Sequence, residues 1–202
     1  EDGKTLVNNL RNAGVETGFI GVEPSGFTGI AVIYVNDEGD DTIVVTPGAN
    51  EKCDLKYIQD NHGAIEAADI LLLQMEIPAD AVYHAIRMAR KYGKTVILNP
   101  APAPSFIPAD VLEQIDFLIP NETELQKLTG TDLRSEQDAA KAARTLIAKG
   151  VKNVIVTLGE KGALLVTREE AVHFPVPRVT AVDTTAAGDA FIAAFAVELP
   201  EG

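Results

Sequence analysis

"DILLLQME", Asp69 to Glu76, decides the fold. Four residues run Ile-Leu-Leu-Leu before a glutamine, with no polar residue alternating among them. Such a run suits a strand covered on both faces, which is the usual state of a strand in a parallel sheet. The same form recurs in "KTVILNP" (Lys94–Pro100), "IDFLIPNE" (Ile115–Glu122) and "NVIVTLGE" (Asn153–Glu160). Between these runs the apolar spacing becomes helical, from about Ala79 to Tyr92, from about Glu124, and from about Ser135 to Lys149. Strand and helix alternation predicts an α/β fold, a doubly wound, mostly parallel sheet flanked by helices.

Outward from this centre, "GALLVTREEAVHFPVP" (Gly162–Pro177) reads as a further antiparallel strand pair. Upstream, Gly29–Val35 and Thr42–Val45 are β-rich runs joined by "NDEGDD", whose Asn, Asp and Gly supply turn chemistry, so a hairpin is expected. The opening "EDGKTLVNNLRNAG" has Leu6, Val7 and Leu10 at helical spacing. The 202 residues are expected to form one domain, with a small β lid at 26–47, and to be an excerpt incomplete at both ends.

Hydrophobic residues make up 46% and charged residues 23%, the usage of a globular protein. The net charge of −13 repels polyanions, which argues against nucleic acid or an anionic membrane as partner. A single cysteine, Cys53, excludes an internal disulfide, and no apolar run approaches membrane-spanning length. A cytoplasmic location is the expectation.

In a parallel sheet, ligands bind outside the C-terminal ends of the strands. The residues there are Gln74 and Glu76, Asn99, Asn121 and Glu124, and Thr157 to Gly159. Taken singly, Glu76 reads as a solvated carboxylate, Asn121 with Glu124 as a helix capping box, and "TLGEKG" as a Gly-containing connection. Their shared edge is what sets them apart.

One more stretch belongs with them: "AVDTTAAGDAF", Ala181–Phe191, where a helix is expected to begin near Ala187. The first amides of a helix lack intrahelical partners and carry partial positive charge. The small residues Ala186, Ala187 and Gly188 allow an anion to approach them closely. Asp189, in the first turn, either complements the helix dipole or accepts a proton during a reaction beside that anion. The helix that follows is apolar on nearly all sides and is expected to be buried.

Other chemistries find no support. No G-x-x-x-x-G-K-[ST], no G-x-G-x-x-G after a strand, no G-x-S-x-G and no H-E-x-x-H occurs, and His62, His84 and His173 lack zinc-ligand spacing.

"DTTAAGD" resembles the D-T-x-G-A-G-D signature of the ribokinase-like carbohydrate kinases, with Ala186 where the signature has its first Gly. "PNETE" is similar to that family's N-x-x-E motif, "TLGEKG" to its nucleotide loop, "FTGIAVIYV" to its lid strands and "PGAN" to the return from the lid. Within the family, "LLLQME" and "LNPAPA" resemble the ribose-phosphorylating branch.

The resemblance implies an ATP-dependent kinase acting on the 5-hydroxyl of D-ribose. It assigns Asp189 as general base and contact to the sugar, and Ala186, Ala187 and Gly188 as the anion hole. Asn121 and Glu124 would organise Mg²⁺ through its waters around the ATP phosphates. Thr157, Leu158, Gly159, Glu160, Lys161 and Gly162 would line the nucleotide site, joined by Gly188, and Glu76 would contact sugar or lid. Asp183 and Thr185 would hold a monovalent cation, K⁺, and the lid would pair two subunits into a homodimer. The family's N-terminal Gly-Gly sugar motif is not within this stretch. A fructokinase, a ketodeoxygluconate kinase, a nucleoside kinase and a non-catalytic sugar- or nucleotide-binding module are the alternatives.

Overall fold

The structure, a computed structural model, describes residues 2–35, 41–179 and 184–199. The expected hairpin forms from β1 (Ile30–Val35) and β2 (Asp41–Thr46), paired antiparallel from Ile30↔Thr46 to Val35↔Asp41. Most of its turn lies outside the described residues. It follows α1 (Asp2–Asn12), which buries no side chain, and precedes two short helices the sequence pattern did not announce, α2 (Leu55–Asp60) and α3 (His62–Ala67).

Six strands form the main sheet in chain order: β3 (Ile70–Leu73), β4 (Thr95–Leu98), β5 (Phe117–Leu118), β6 (Asn153–Thr157), β7 (Ala163–Val166) and β8 (Ala171–Phe174). β3 to β6 are parallel, while β7 and β8 add antiparallel. Parallel neighbours in chain order need crossovers of one hand, which places the connecting helices on one face of the sheet. These helices are α4 (Ala79–Lys91), α5 (Ala109–Leu112), α6 (Glu122–Thr129) and α7 (Glu136–Ala148). α8 (Ala187–Glu198) serves the opposite face.

The side-chain alternation of each strand divides the core accordingly. Val96, Leu98, Leu118, Val154 and Val156 pack with Val82, Ile86, Ala142 and Leu146 under the connecting helices. Ile97, Ile119 and Ile155 face the other way and meet Ile192 of α8. Burial on both faces explains the apolar runs of β4 and β6. β3, at the edge of the described sheet, departs from that expectation: none of its residues is buried and Leu72 is 42% exposed. Each fully buried Ile or Leu contributes about 1.5–3 kcal/mol of transfer free energy.

Local signals set the boundaries. Ser135 caps α7 by accepting from the Asp138 N–H, and α6 ends at Gly130, whose φ of 68° is left-handed. α6 starts at Glu122, two residues earlier than the spacing suggests, because Asn121 is its N-cap. At the N-terminal edge of the sheet, the buried Asp116 carboxylate accepts from the Val96 N–H at 2.8 Å and pairs with Lys152 at 2.5 Å.

α8 departs from expectation. Only Ile192 is buried, with Phe195, Ala196 and Leu199 packed partly against the sheet, while Phe191 and Val197 are exposed. A helix lying on a sheet buries only the flank that meets it, and the apolar residues on its other flank have no cover among the described residues. No described helix is long and apolar enough to cross a membrane.

Candidate functional site

The C-terminal edge of the parallel strands gathers the polar residues. β4 ends at Leu98, and Asn99 continues the ladder by donating its N–H to the Leu73 carbonyl at 2.9 Å. Its side chain is buried, so its polar atoms must find partners. Asn99 Nδ2 donates to the Ile119 carbonyl at 2.8 Å, which turns Oδ1 toward the end of β3. There Gln74 Nε2 donates to Asn99 Oδ1 at 3.4 Å and to Asp189 Oδ1 at 2.9 Å. An aspartate 115 residues distant in sequence is thereby held at the ends of β3 and β4.

Leu72, Leu73, Gln74, Asn99, Asp189 and Ile192 line a cavity of about 270 Å³. Larger cavities lie elsewhere, one of about 390 Å³ between the Phe19–Glu23 segment and Tyr57, another of about 410 Å³ beside Arg144 and Arg168. Neither gathers residues from the C-terminal ends of the parallel strands, so chemistry rather than volume selects the smaller one.

The loop entering α8 has a defined shape. Ala186 sits at φ 60°, ψ 11°, the only left-handed non-glycine residue among those described. A Cβ there costs about 1–2 kcal/mol. The Ala187 N–H donates to the Thr184 carbonyl at 3.1 Å, and the Ala190 N–H to Ala186 at 2.9 Å. A Cβ built on Gly188 would meet nothing within 4 Å, so protein packing does not demand glycine there. The space beside Gly188 at the helix N-terminus is therefore open to a ligand. Thr185 is exposed, and Asp183 lies outside the described residues.

A second group forms where β5 and β6 end. Asn121 and Glu124 make a complete capping box: the Glu124 N–H donates to Asn121 Oδ1, and the Asn121 N–H to Glu124 Oε2, both at 2.8 Å. The capping reading is thus fulfilled, and it still leaves carboxylate lone pairs unused. Burial pushes the Glu124 carboxyl above its ordinary range, and the Asn121 N–H bond opposes that shift. An isolated parallel bridge joins Asn121 to Thr157, and the Thr157 N–H donates to Pro120 at 3.0 Å.

From Thr157 the chain turns through Leu158, Gly159, Glu160, Lys161 and Gly162 into β7. The Leu158 N–H donates to the Gly162 carbonyl at 2.8 Å and closes the loop. Gly162 is obligatory, because its φ is 104° and a Cβ would stand 2.0 Å from the Phe174 carbonyl oxygen. Glu160 and Lys161 are exposed.

Two residues gain roles that their sequence positions hid. Gln74 was visible only as a rim amide, and its proximity to Asp189 depends on tertiary packing. His173, scattered in the sequence, touches the Lys161 carbonyl at 2.6 Å and Glu136 at 2.8 Å, tying the 157–162 loop to α7. No local signal marks either contact. Glu76 lies exposed in the loop after β3, and no contact with Asp189 is described for it. Among the described residues no group of three or more His, Cys, Asp or Glu could hold a metal ion.

The model of the pfkB family carbohydrate kinase matches residues 1–202. The chain is 41% identical over 190 residues to the deoxyribokinase of Salmonella typhi, covering 94% of this chain and 62% of that protein. It is 37% identical over 194 residues to the ribokinase of Staphylococcus aureus, covering 96% and 64% respectively. The solved structure of Arabidopsis thaliana ribokinase complexed with ribose and ATP superposes with a TM-score of 0.80 at 37% identity, covering 88% of this chain and 58% of that one. The chain thus spans less than two thirds of the length of these relatives.

Proposed function

The chain belongs to the pfkB family of carbohydrate kinases, and from that premise we propose that the protein is an ATP-dependent sugar kinase acting on the 5-hydroxyl of D-ribose. The observation that carries the reading is Asp189, placed in the first turn of α8 at the mouth of a cavity formed by the ends of β3 and β4. A carboxylate so placed accepts the proton of the sugar hydroxyl as its oxygen bonds to the γ-phosphorus. The bond from that phosphorus to the β–γ bridging oxygen breaks, and ADP leaves.

The N-terminus of α8, with Ala186, Ala187 and Gly188, offers backbone dipoles to the charge that develops on the phosphoryl oxygens. Beside Gly188 a Cβ would meet open space, so no side chain of the described residues bars an approach to this helix start. Thr157 to Gly162 line the nucleotide on this reading, and Glu76 approaches the sugar. Mg²⁺ bound with ATP supplies neutralisation of phosphate charge. Asn121 and Glu124 would hold it through water, and each Glu124 oxygen accepts one bond from Asn121, leaving lone pairs free for that purpose. Asp183 and Thr185 are assigned to K⁺ on the family resemblance alone.

A second substrate is favoured by one observation, the likeness to a deoxyribokinase. Ribose and 2-deoxyribose differ by one hydroxyl, and a site that hydrogen-bonds it rejects the deoxy sugar by about 10⁴-fold or more. ADP formation by the intact protein with each sugar, and with fructose, ketodeoxygluconate and a nucleoside as further acceptors, decides among them. Asp189→Asn is expected to lower kcat by about 10²–10⁴-fold. Near-normal turnover in that variant overturns the base assignment, and binding without phosphoryl transfer in the intact protein would make it a non-catalytic module.

We also propose that residues 1–202 act as one domain, with 26–47 as a lid that pairs with a second copy, in the cytoplasm. Val32 and Val44 are directly paired and share one face of the hairpin, Ile33 and Ile43 share the other, and all four are exposed. Exposed apolar surface of this kind marks an interaction site. Light scattering on the intact protein is expected to give a dimer mass.

A further inference from the structure

We infer that Gln74 is a positioning residue that orients Asp189 for proton abstraction, acting as the last link of an amide relay across the sheet edge. The inference rests on the base assignment made above for Asp189.

The relay has one consistent polarity. The Ile119 carbonyl can only accept, so Asn99 must present Nδ2 to it, at 2.8 Å. Asn99 Oδ1 then faces Gln74 and can only accept. Gln74 must therefore present its NH₂ group, whose two hydrogens go to Asn99 Oδ1 and to Asp189 Oδ1. The carboxylate, an acceptor, completes the sequence with no donor facing a donor. The ends of β3 and β4 and the Ile119 carbonyl just after β5 are thus coupled to the first turn of α8 through the Asn99 and Gln74 side chains.

The consequence concerns the carboxylate torsion. The terminal torsion of an aspartate is broad and roughly two-fold, so an exposed carboxylate samples many orientations. A bond of 2.9 Å from Gln74 to Oδ1 selects one of them and leaves Oδ2 to accept the hydroxyl proton. Asn99 is itself buried and anchored to β5, so the Gln74 amide is supported from behind rather than free to follow Asp189. A base misplaced by about 1 Å loses on the order of 10²-fold in rate, which sets the scale of what the contact secures.

The test uses the intact protein with ribose and ATP. Gln74→Met keeps the side-chain length without the donor, and Gln74→Glu keeps it while setting a carboxylate against Asp189. Gln74→Met is expected to lower kcat by about 10–10²-fold while the KM for ATP stays within about twofold, and Gln74→Glu to lower kcat at least as far. The decisive readout is a double-mutant cycle: added to Asp189→Asn, Gln74→Met should change the residual rate by less than about twofold. A general structural role would lower the rate equally in both backgrounds, and that result overturns the inference. So does a Gln74→Met kcat within about twofold of wild type while Asp189→Asn shows its expected loss of about 10²-fold or more. If Asp189→Asn itself keeps near-normal turnover, the underlying base assignment fails and this inference falls with it.

Discussion

Ile97 and Ile43 are both strand isoleucines in apolar runs, yet Ile97 is 0% exposed and Ile43 is 52% exposed. The first lies in the parallel sheet, where α8 and the sheet enclose it. The second lies in a two-stranded ribbon with exposed apolar residues on both faces. Similar residues therefore do different work. Burial in the sheet holds the domain together, whereas the hairpin carries surface that only another molecule or segment could cover.

Stability measurements would break that contrast most directly. Ile97→Ala is expected to cost about 2–5 kcal/mol, because it removes methyl groups and leaves a cavity in a closed core. Ile43→Ala should cost no more than about 0.5 kcal/mol in the same denaturant titration, as surface changes usually do. Equal losses in a monomeric sample would show that the hairpin is packed after all.

The loop before α8 lies between these extremes, since it is exposed yet conformationally committed. Ala186→Gly removes the left-handed penalty of about 1–2 kcal/mol, offset by the greater freedom of glycine in the unfolded chain. The net expectation is a gain of about 0.5–1 kcal/mol in urea unfolding. A loss would mean that the Ala186 methyl makes a stabilising contact that outweighs its strain.

Glu124 sharpens the contrast at the smallest scale. Its carboxyl is raised above the ordinary value by burial, so the folded state favours the protonated form. Its contribution to stability is therefore fully present below the ordinary carboxyl range and is lost as pH rises through the raised value. Glu124→Gln retains a capping acceptor but cannot titrate. The stability of wild type relative to this variant should fall as pH rises above the ordinary carboxyl range, and a flat difference would refute the burial effect.

Much of the frame was legible beforehand. Four apolar runs announced the four parallel strands, though burial on both faces holds for β4 and β6 and not for the edge strand β3. The three-residue spacing of Asn121 and Glu124 announced the cap that forms. Glycine punctuation marked the turn at Gly162 because a left-handed backbone needs it. The one-sided burial of α8 was not legible, since an all-apolar helix looks the same whether or not a neighbour covers its outer flank. Nor was the contact of His173 with the 157–162 loop, which joins residues on separate elements.

The amino-acid sequence by itself determined the α/β alternation, the helix caps, the glycine turns and the resemblance to a kinase family. These rest on local backbone preferences and on the periodicity of apolar residues, which neighbouring positions encode. Only the tertiary structure decided that Gln74 meets Asp189, that Asn121 stands beside Thr157, and that Ala186 is held left-handed. Such contacts arise when strand ends from distant segments are aligned by the sheet ladder, and no local spacing records that alignment.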